Sequence, residues 1–291
     1  MEPWRHIGEH IREATGVPLR GAREAVGGGC INEAMRLRGD GRDFFLKSNA
    51  AEQIDMFIAE AEGLREIAAT RTVRVPEPVC WGVTGDTAYL VLEYLDFGRG
   101  GNGAVLGEQL AAMHRVTHAE FGWQRDNTIG STPQINTPDA DWISFFRERR
   151  LGFQLELAQR NGWDSELQRL GAELMARMDG LFDGYRPRPS LLHGDLWSGN
   201  HAYLADGSPV IFDPAVYFGD READVAMTEL FGGFGGAFYA GYRSAWALDA
   251  GYAVRRTLYN LYHILNHLNL FGGGYGQQAL RMTQQLLAEL R

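Results

Sequence analysis

His193-Gly194-Asp195-Leu196-Trp197-Ser198-Gly199-Asn200 is followed by the apolar run Val210-Ile211-Phe212 and then Asp213. In this order the side chains supply what phosphoryl transfer needs: a positioned acceptor for the proton of an attacking alcohol, and hard oxygen ligands for the Mg²⁺ that offsets nucleotide charge. Asp195 fits the first role, and Asn200 and Asp213 fit the second. His-Gly-Asp or Ser-Gly-Asn alone reads as an ordinary surface turn. Joined to an apolar strand that ends in Asp213, they read better as one site.

The spacing also follows the protein-kinase pattern, in which a catalytic-loop Asp precedes a metal-binding Asn by five residues and a second metal-binding Asp ends a later strand. Two differences bear on regulation. Asp213 is followed by Pro214-Ala215 rather than Phe-Gly, and only ten residues lie between Asp213 and Asp224. That leaves no room for a long phosphorylated activation segment.

Composition bounds the alternatives. With 291 residues and 45% apolar content, the chain can form one large or two modest domains with real cores. A net charge of −9 without a Lys/Arg run argues against a nucleic-acid partner and a polybasic membrane patch. Cys30 and Cys80 are too few for a disulfide framework or a multi-thiolate zinc site, which points to a reducing, cytoplasmic setting. Residues 1–15 space Trp4, Ile7 and Ile11 among charges, the pattern of an amphipathic helix rather than a signal peptide, and no apolar run is long enough to span a bilayer.

Along the chain the hydrophobic period changes once. Residues 19–93 read mainly as strands: the alternating Ala34-Met35-Arg36-Leu37-Arg38, then Phe44-Phe45-Leu46-Lys47, and the buried apolar run Ala88-Tyr89-Leu90-Val91-Leu92, with one helix over about 51–69. After the glycine-rich segment 98–103, long helical stripes take over through 142–157, 167–182, 258–268 and 277–290. The expected fold is therefore α+β and bilobal: a β-rich nucleotide-binding lobe over 1–94 with one main helix, and a mostly α-helical catalytic and substrate-binding lobe over 95–291.

The first lobe carries nucleotide-binding candidates. Gly27, Gly28 and Gly29 form a turn between strands whose backbone amides can approach phosphates, although Asn32 replaces the last glycine of the usual loop and these residues alone read better as a plain hairpin turn. Lys47 at the end of an apolar strand is placed to contact the α- and β-phosphates. Its carboxylate partner is Glu60 or Glu62, with the register favouring Glu60, and only one of the two can face inward. Glu93, Tyr94 and Leu95, where the last strand ends, are the adenine-hinge candidates.

These residues resemble the fructosamine kinases, or ketosamine 3-kinases, a branch of the aminoglycoside and choline kinase-like group. The resemblance rests on Gly27 to Asn32, Phe121-Gly122-Trp123, Asp126-Asn127, Ile129 to Gln134, Asp141-Trp142 through Leu151, His193 to Asn200, Asp213-Pro214-Ala215, and Arg221 through Phe234. It implies a protein-kinase-like fold, ATP with Mg²⁺, and phosphorylation of the 3-hydroxyl of a ketosamine, a glycated small amine or protein lysine. It further implies that Asp224 braces the catalytic loop, that His267 lies near the sugar, and that Cys30 is a redox candidate able to form a redox-dependent homodimer; a small residue fitting a tight loop is the alternative. Cys80, beside Trp81 in an apolar stretch, is expected to be buried and inert. Trp197 could pack on a sugar face or anchor the loop. His263 and His267, one turn apart, lack the Glu of a zinc-binding pair. The competing activities are phosphorylation of an aminoglycoside, choline or a plain sugar, and a pseudokinase binding module, although Lys47, Asp195, Asn200 and Asp213 are all present.

Overall fold

In the computed structural model, which describes residues 3–27, 32–163 and 165–290, the alternating segments become one antiparallel sheet. Its strands are β1 (Leu19–Ala25), β2 (Glu33–Gly39), β3 (Phe44–Ala50), β4 (Pro78–Thr84) and β5 (Thr87–Glu93), in the spatial order β1-β2-β3-β5-β4. β5 is an interior strand between β3 and β4 and is buried from Ala88 to Leu92, which explains its unbroken apolar run. The N-terminal amphipathic segment is α1 (Pro3–Thr15), whose Ile7 and Ile11 pack on Leu37, Phe44, Leu46, Cys80, Tyr89 and Val91. The second helix, α2 (Ile54–Thr70), follows a short 3₁₀ turn and packs on β4 and β5. It ends where Arg71 turns left-handed at φ 56°.

The sheet and these helices form one compact unit, Met1–Asn102, which also takes in His201–Pro214. The later segment belongs there because its hairpin, His201–Tyr203 with Pro209–Ile211, is tied by backbone hydrogen bonds. Ile211 N donates to Arg74 O (3.0 Å), and Gly98 N donates to Tyr203 O (2.7 Å).

The second unit, Gly103–Asn200 with Ala215–Arg291, is mostly helical. Its helices are α3 (Gly103–His114), α4 (Trp142–Phe145), α5 (Phe153–Arg160), α6 (Ser165–Arg177), α7 (Glu222–Leu230), α8 (Gly236–Ala245), α9 (Tyr252–Phe271) and α10 (Tyr275–Glu289). Asp141 caps α4 by accepting from Ser144 N (2.7 Å), and a π-helical turn over Phe146–Gly152 carries the chain from α4 into α5. α9 is the axis. It packs on α5, α7 and α10, and buries Leu258, Leu261, Tyr262, Leu265 and Leu268, the stripe read from the sequence. Among the described residues, no helix is long and apolar enough to cross a membrane.

α3 and α8 cross at very short range because glycines face each other's backbone. A Cβ at Gly107 would stand 2.2 Å from Phe238 O, and one at Gly241 would stand 2.2 Å from Ala104 O. Neither carbonyl can retreat without moving its helix. We therefore expect Gly107→Ala to cost about 2 kcal/mol or more, read as a lower urea midpoint with unchanged slope. An unaltered midpoint would contradict this packing.

Candidate active site

Strand alternation sends Leu46 into the α1 cluster and Lys47 to the opposite face of β3, where α2 lies. There Lys47 Nζ meets Glu60 Oε1 at 2.6 Å and Asp213 Oδ1 at 2.6 Å. The Lys47 side chain is 8% exposed and that of Glu60 is 9%, whereas Asp213 is 46% exposed. Burial would lower the ammonium's pKa, but the two carboxylates reverse the effect and hold Lys47 charged. Burial pushes the Glu60 carboxyl up while Lys47 opposes it. Of the two glutamates weighed from the sequence, Glu60 is the one brought to Lys47; Glu62, two residues on, is half-buried.

Asp213 is placed by the strand before it. Phe212 stacks on Phe97 with ring centroids 5.5 Å apart, and Asp213 itself takes the left-handed conformation at φ 58°. A non-glycine residue there costs conformational energy, a cost seen often at functional positions. At the end of β5, Glu93 Oε1 accepts from Glu77 N (2.8 Å) and pairs with Arg74 (2.5 Å), while Tyr94 lies under the Arg36 guanidinium at 4.0 Å. Leu95 follows, half-buried. Gly27 is exposed. Gly28, Gly29 and Cys30 lie outside the described residues, and with them the Cys30 dimer. Cys80 is a buried free thiol whose pKa burial pushes up to about 12, as befits an inert core cysteine.

In the second unit the catalytic-loop candidate is held from behind. Asp224, in the first turn of α7, accepts His193 N–H on Oδ2 (2.7 Å) and Gly194 N–H on Oδ1 (2.8 Å). His114 Nε2 lies 3.1 Å from Oδ2, and His114 Nδ1 meets Tyr242 OH at 2.8 Å. Burial works to raise the Asp224 carboxyl, but these partners win and hold it below its usual value. Gly194 needs its freedom: φ is 83°, and a Cβ would stand 2.0 Å from Ala215 O.

Asn200 closes the loop on Asp195. Its Nδ2 donates to Asp195 O (2.8 Å) and reaches Asp195 Oδ2 at 3.4 Å, so Oδ1 is the atom that could ligate a metal. An amide oxygen such as that of Asn200, and a half-exposed carboxylate such as that of Asp213 in the first unit, are each hard donors of the kind Mg²⁺ takes.

Trp197 lies over Gly199 and is 37% exposed, meeting Phe231 edge-on at 6.4 Å. Phe231 packs on His267 at 4.7 Å. His267 Nδ1 faces His263 O at 2.8 Å; a carbonyl only accepts, so Nδ1 carries the proton and Nε2 carries the lone pair. The aromatic residues thus join Trp197 to His267 through Phe231, a residue whose position in the site sequence reading missed. His114 was missed as well, since a lone histidine at a helix end carries no periodic signal.

His263 is buried, its Nδ1 makes no hydrogen bond, and its pKa is lowered to about 3 by burial, with His267 and Arg150 adding to the fall and Asp224 opposing it. A histidine whose folded pKa lies below its unfolded value of about 6.5 binds more protons unfolded, so stability is lost as pH falls from there toward 3. Relative to wild type, His263→Leu should therefore gain stability progressively as urea unfolding is repeated from pH 7 down to pH 4. A pH-independent difference would show that His263 does not stay neutral in the fold.

Comparison with known proteins follows the same lines. The fructosamine kinase family profile matches residues 3–289. A Synechocystis protein named as a ketoamine kinase is 51% identical, over 98% of this chain and 97% of its own. The chloroplastic protein-ribulosamine 3-kinase of Arabidopsis thaliana is 48% identical, over 92% of this chain and 83% of its own. Among solved structures, a Haemophilus somnus protein named as a fructosamine-3-kinase superposes with TM-score 0.89 at 28% identity, covering 98% of this chain and 97% of the other. The aminoglycoside phosphotransferase APH(4)-Ia, in a complex with AMP-PNP and hygromycin B, shares the fold alone, at TM-score 0.63 and 16% identity over 97% of each chain. The fold is protein-kinase-like, and with nearly every residue inside the matched region the chain belongs to the fructosamine kinase family.

Proposed function

We propose that this phosphotransferase uses ATP to phosphorylate the 3-hydroxyl of ketosamines, the sugar adducts formed when amines are glycated. The observation that carries the reading is the family match across residues 3–289 in a chain that retains Lys47, Asp195, Asn200 and Asp213 together. Relatives named as ketoamine and ribulosamine kinases support the substrate class. The absence of a Lys/Arg run and the buried thiol of Cys80 favour a small-molecule or glycated-protein substrate in the cytoplasm.

Each residue's role follows from its surroundings. Lys47, held extended by Glu60, binds the α- and β-phosphates, with Gly27 to Gly29 covering them and Glu93 to Leu95 reading adenine through backbone atoms. Asn200 and Asp213 are the residues we assign to Mg²⁺, which when bound offsets phosphate charge. Asp195 orients the sugar's 3-hydroxyl and accepts its proton as the oxygen attacks the γ-phosphorus in line. Trp197 packs against the sugar's apolar face, and the His267 Nε2 lone pair accepts from a sugar hydroxyl.

Position 3 has a chemical consequence. Once the ketosamine tautomerises between C1 and C2, a C3 phosphate is allylic and can leave. Hydrolysis then yields a deoxy-dicarbonyl, free amine and inorganic phosphate, a route closed to a phosphate farther along the sugar.

The test compares ATP turnover on fructosyl-, ribulosyl- and erythrulosyl-amines with aminoglycosides and choline, for wild type and Asp195→Asn. We expect turnover confined to ketosamines, and a kcat loss of about a hundredfold or more in the variant with ATP affinity retained. Turnover of aminoglycosides or choline alone would sink the substrate assignment, and near-normal turnover by Asp195→Asn would remove Asp195 from its role.

A further inference from the structure

Arg150 is fully buried, and among the described residues no carboxylate forms an ion pair with it. Its Nη1 donates to Ile135 O (2.5 Å) and its Nη2 to Asn136 Oδ1 (2.7 Å), its Nε makes no hydrogen bond, and the ring of Tyr217 lies 4.2 Å from the guanidinium carbon. A guanidinium so enclosed costs far more than an apolar side chain of the same size, so its retention asks for a task that an apolar residue could not perform.

The hydrogen bonds beyond it supply one. Because Arg150 can only donate, Asn136 must present its oxygen, which turns its amide nitrogen to Asn127 Oδ1 (2.9 Å). Asn127 must in turn direct its own nitrogen to Val216 O (2.8 Å). Gln134 Nε2 joins the same acceptor, Asn127 Oδ1 (2.8 Å), and also donates to Ala215 O (3.1 Å), while its oxygen accepts from Tyr262 OH (2.9 Å). Arg150 thus anchors the outer end of the chain, and three carbonyls hold the amides in the same sense: Arg125 O, which also accepts from Asn136 Nδ2 (3.1 Å), Val216 O and Ala215 O. Without Arg150, the Asn136 oxygen loses its charged donor, and the direction of the chain rests on those carbonyls alone. The two carbonyls so gripped flank a backbone bond that matters: Ala215 N donates to His193 O (2.8 Å), and Ala215 O is the atom packed beneath Gly194.

We propose that Arg150 is a positioning residue for phosphoryl transfer, fixing the direction of the Asn136–Asn127–Gln134 amide chain and, through Ala215 and Val216, the register of the His193–Asp195 loop. The role rests on the kinase reading above.

The test uses the full chain with Arg150→Met, Arg150→Lys and Gln134→Met, measuring kcat, both KM values and amide hydrogen exchange at Ala215. Arg150→Met should lower kcat about tenfold or more while changing each KM less than about threefold, since the defect lies in alignment rather than binding. Arg150→Lys should recover much of that loss, because an ammonium still forces the Asn136 oxygen toward it. Gln134→Met, which keeps the cation and nearly the same volume, should show the same kcat signature and faster Ala215 exchange, and it decides the matter if Arg150→Met does not fold. A folded Gln134→Met with kcat near wild type, or with reduced kcat and unchanged Ala215 exchange, would overturn the proposal. Exchange is read without substrate. Absence of ketosamine turnover by the wild type would therefore count against the functional reading, and the exchange result would still decide this one.

Discussion

Asp224 is the group on which the His193–Asn200 loop depends. Its two oxygens take consecutive amides, His193 N–H and Gly194 N–H, and also meet His114, so the backbone just before Asp195 has one conformation. The constraint reaches outward through packing. His114 is the last residue of α3, and its other ring nitrogen meets Tyr242 of α8. That meeting requires the close crossing that Gly107 and Gly241 permit. Small residues some distance along the chain thus set the position of an imidazole that sets a carboxylate that sets the loop. Buried this deeply, the carboxylate remains below its ordinary pKa only because each oxygen has its donors.

The first unit solves a related electrostatic problem with opposite signs. A lysine facing away from the α1 cluster is kept charged by a buried glutamate and a half-exposed aspartate. Glu60 fixes the side chain from the dry side, and Asp213 meets it from the wetter side. The same side chains that hold Lys47 extended also leave Asp213 with surface accessible to solvent, the condition under which a carboxylate can serve a hydrated cation.

Much of this was legible in the sequence because it is local. Alternation marked β2, apolar runs marked β3 and β5, the α2 register favoured Glu60 over Glu62, and the spacing of Asp195, Asn200 and Asp213 carried the proposed chemistry. What escaped is what depends on contacts between distant residues. The stripe over 142–157 reads as one helix, and the π-helical turn inside it leaves no periodic trace although it carries the buried Arg150. The hairpin of Asn127–Ile129 with Thr132–Gln134 has three-residue strands, too short for alternation to register. Its Asn127 and Gln134 entered only through the family resemblance, and Tyr262, far along the chain, closes their network. Asp224 came from family resemblance rather than from any pattern in the residues, and His114 came from neither.

The central claim is transfer of phosphate to C3 of an amine-linked ketose, and ³¹P and ¹³C NMR of the product formed from ATP and a fructosyl- or ribulosyl-amine tests it most directly. The account predicts phosphorus coupled to C3, followed by spontaneous release of inorganic phosphate and free amine. A stable phosphate on the terminal carbon of the sugar would contradict it.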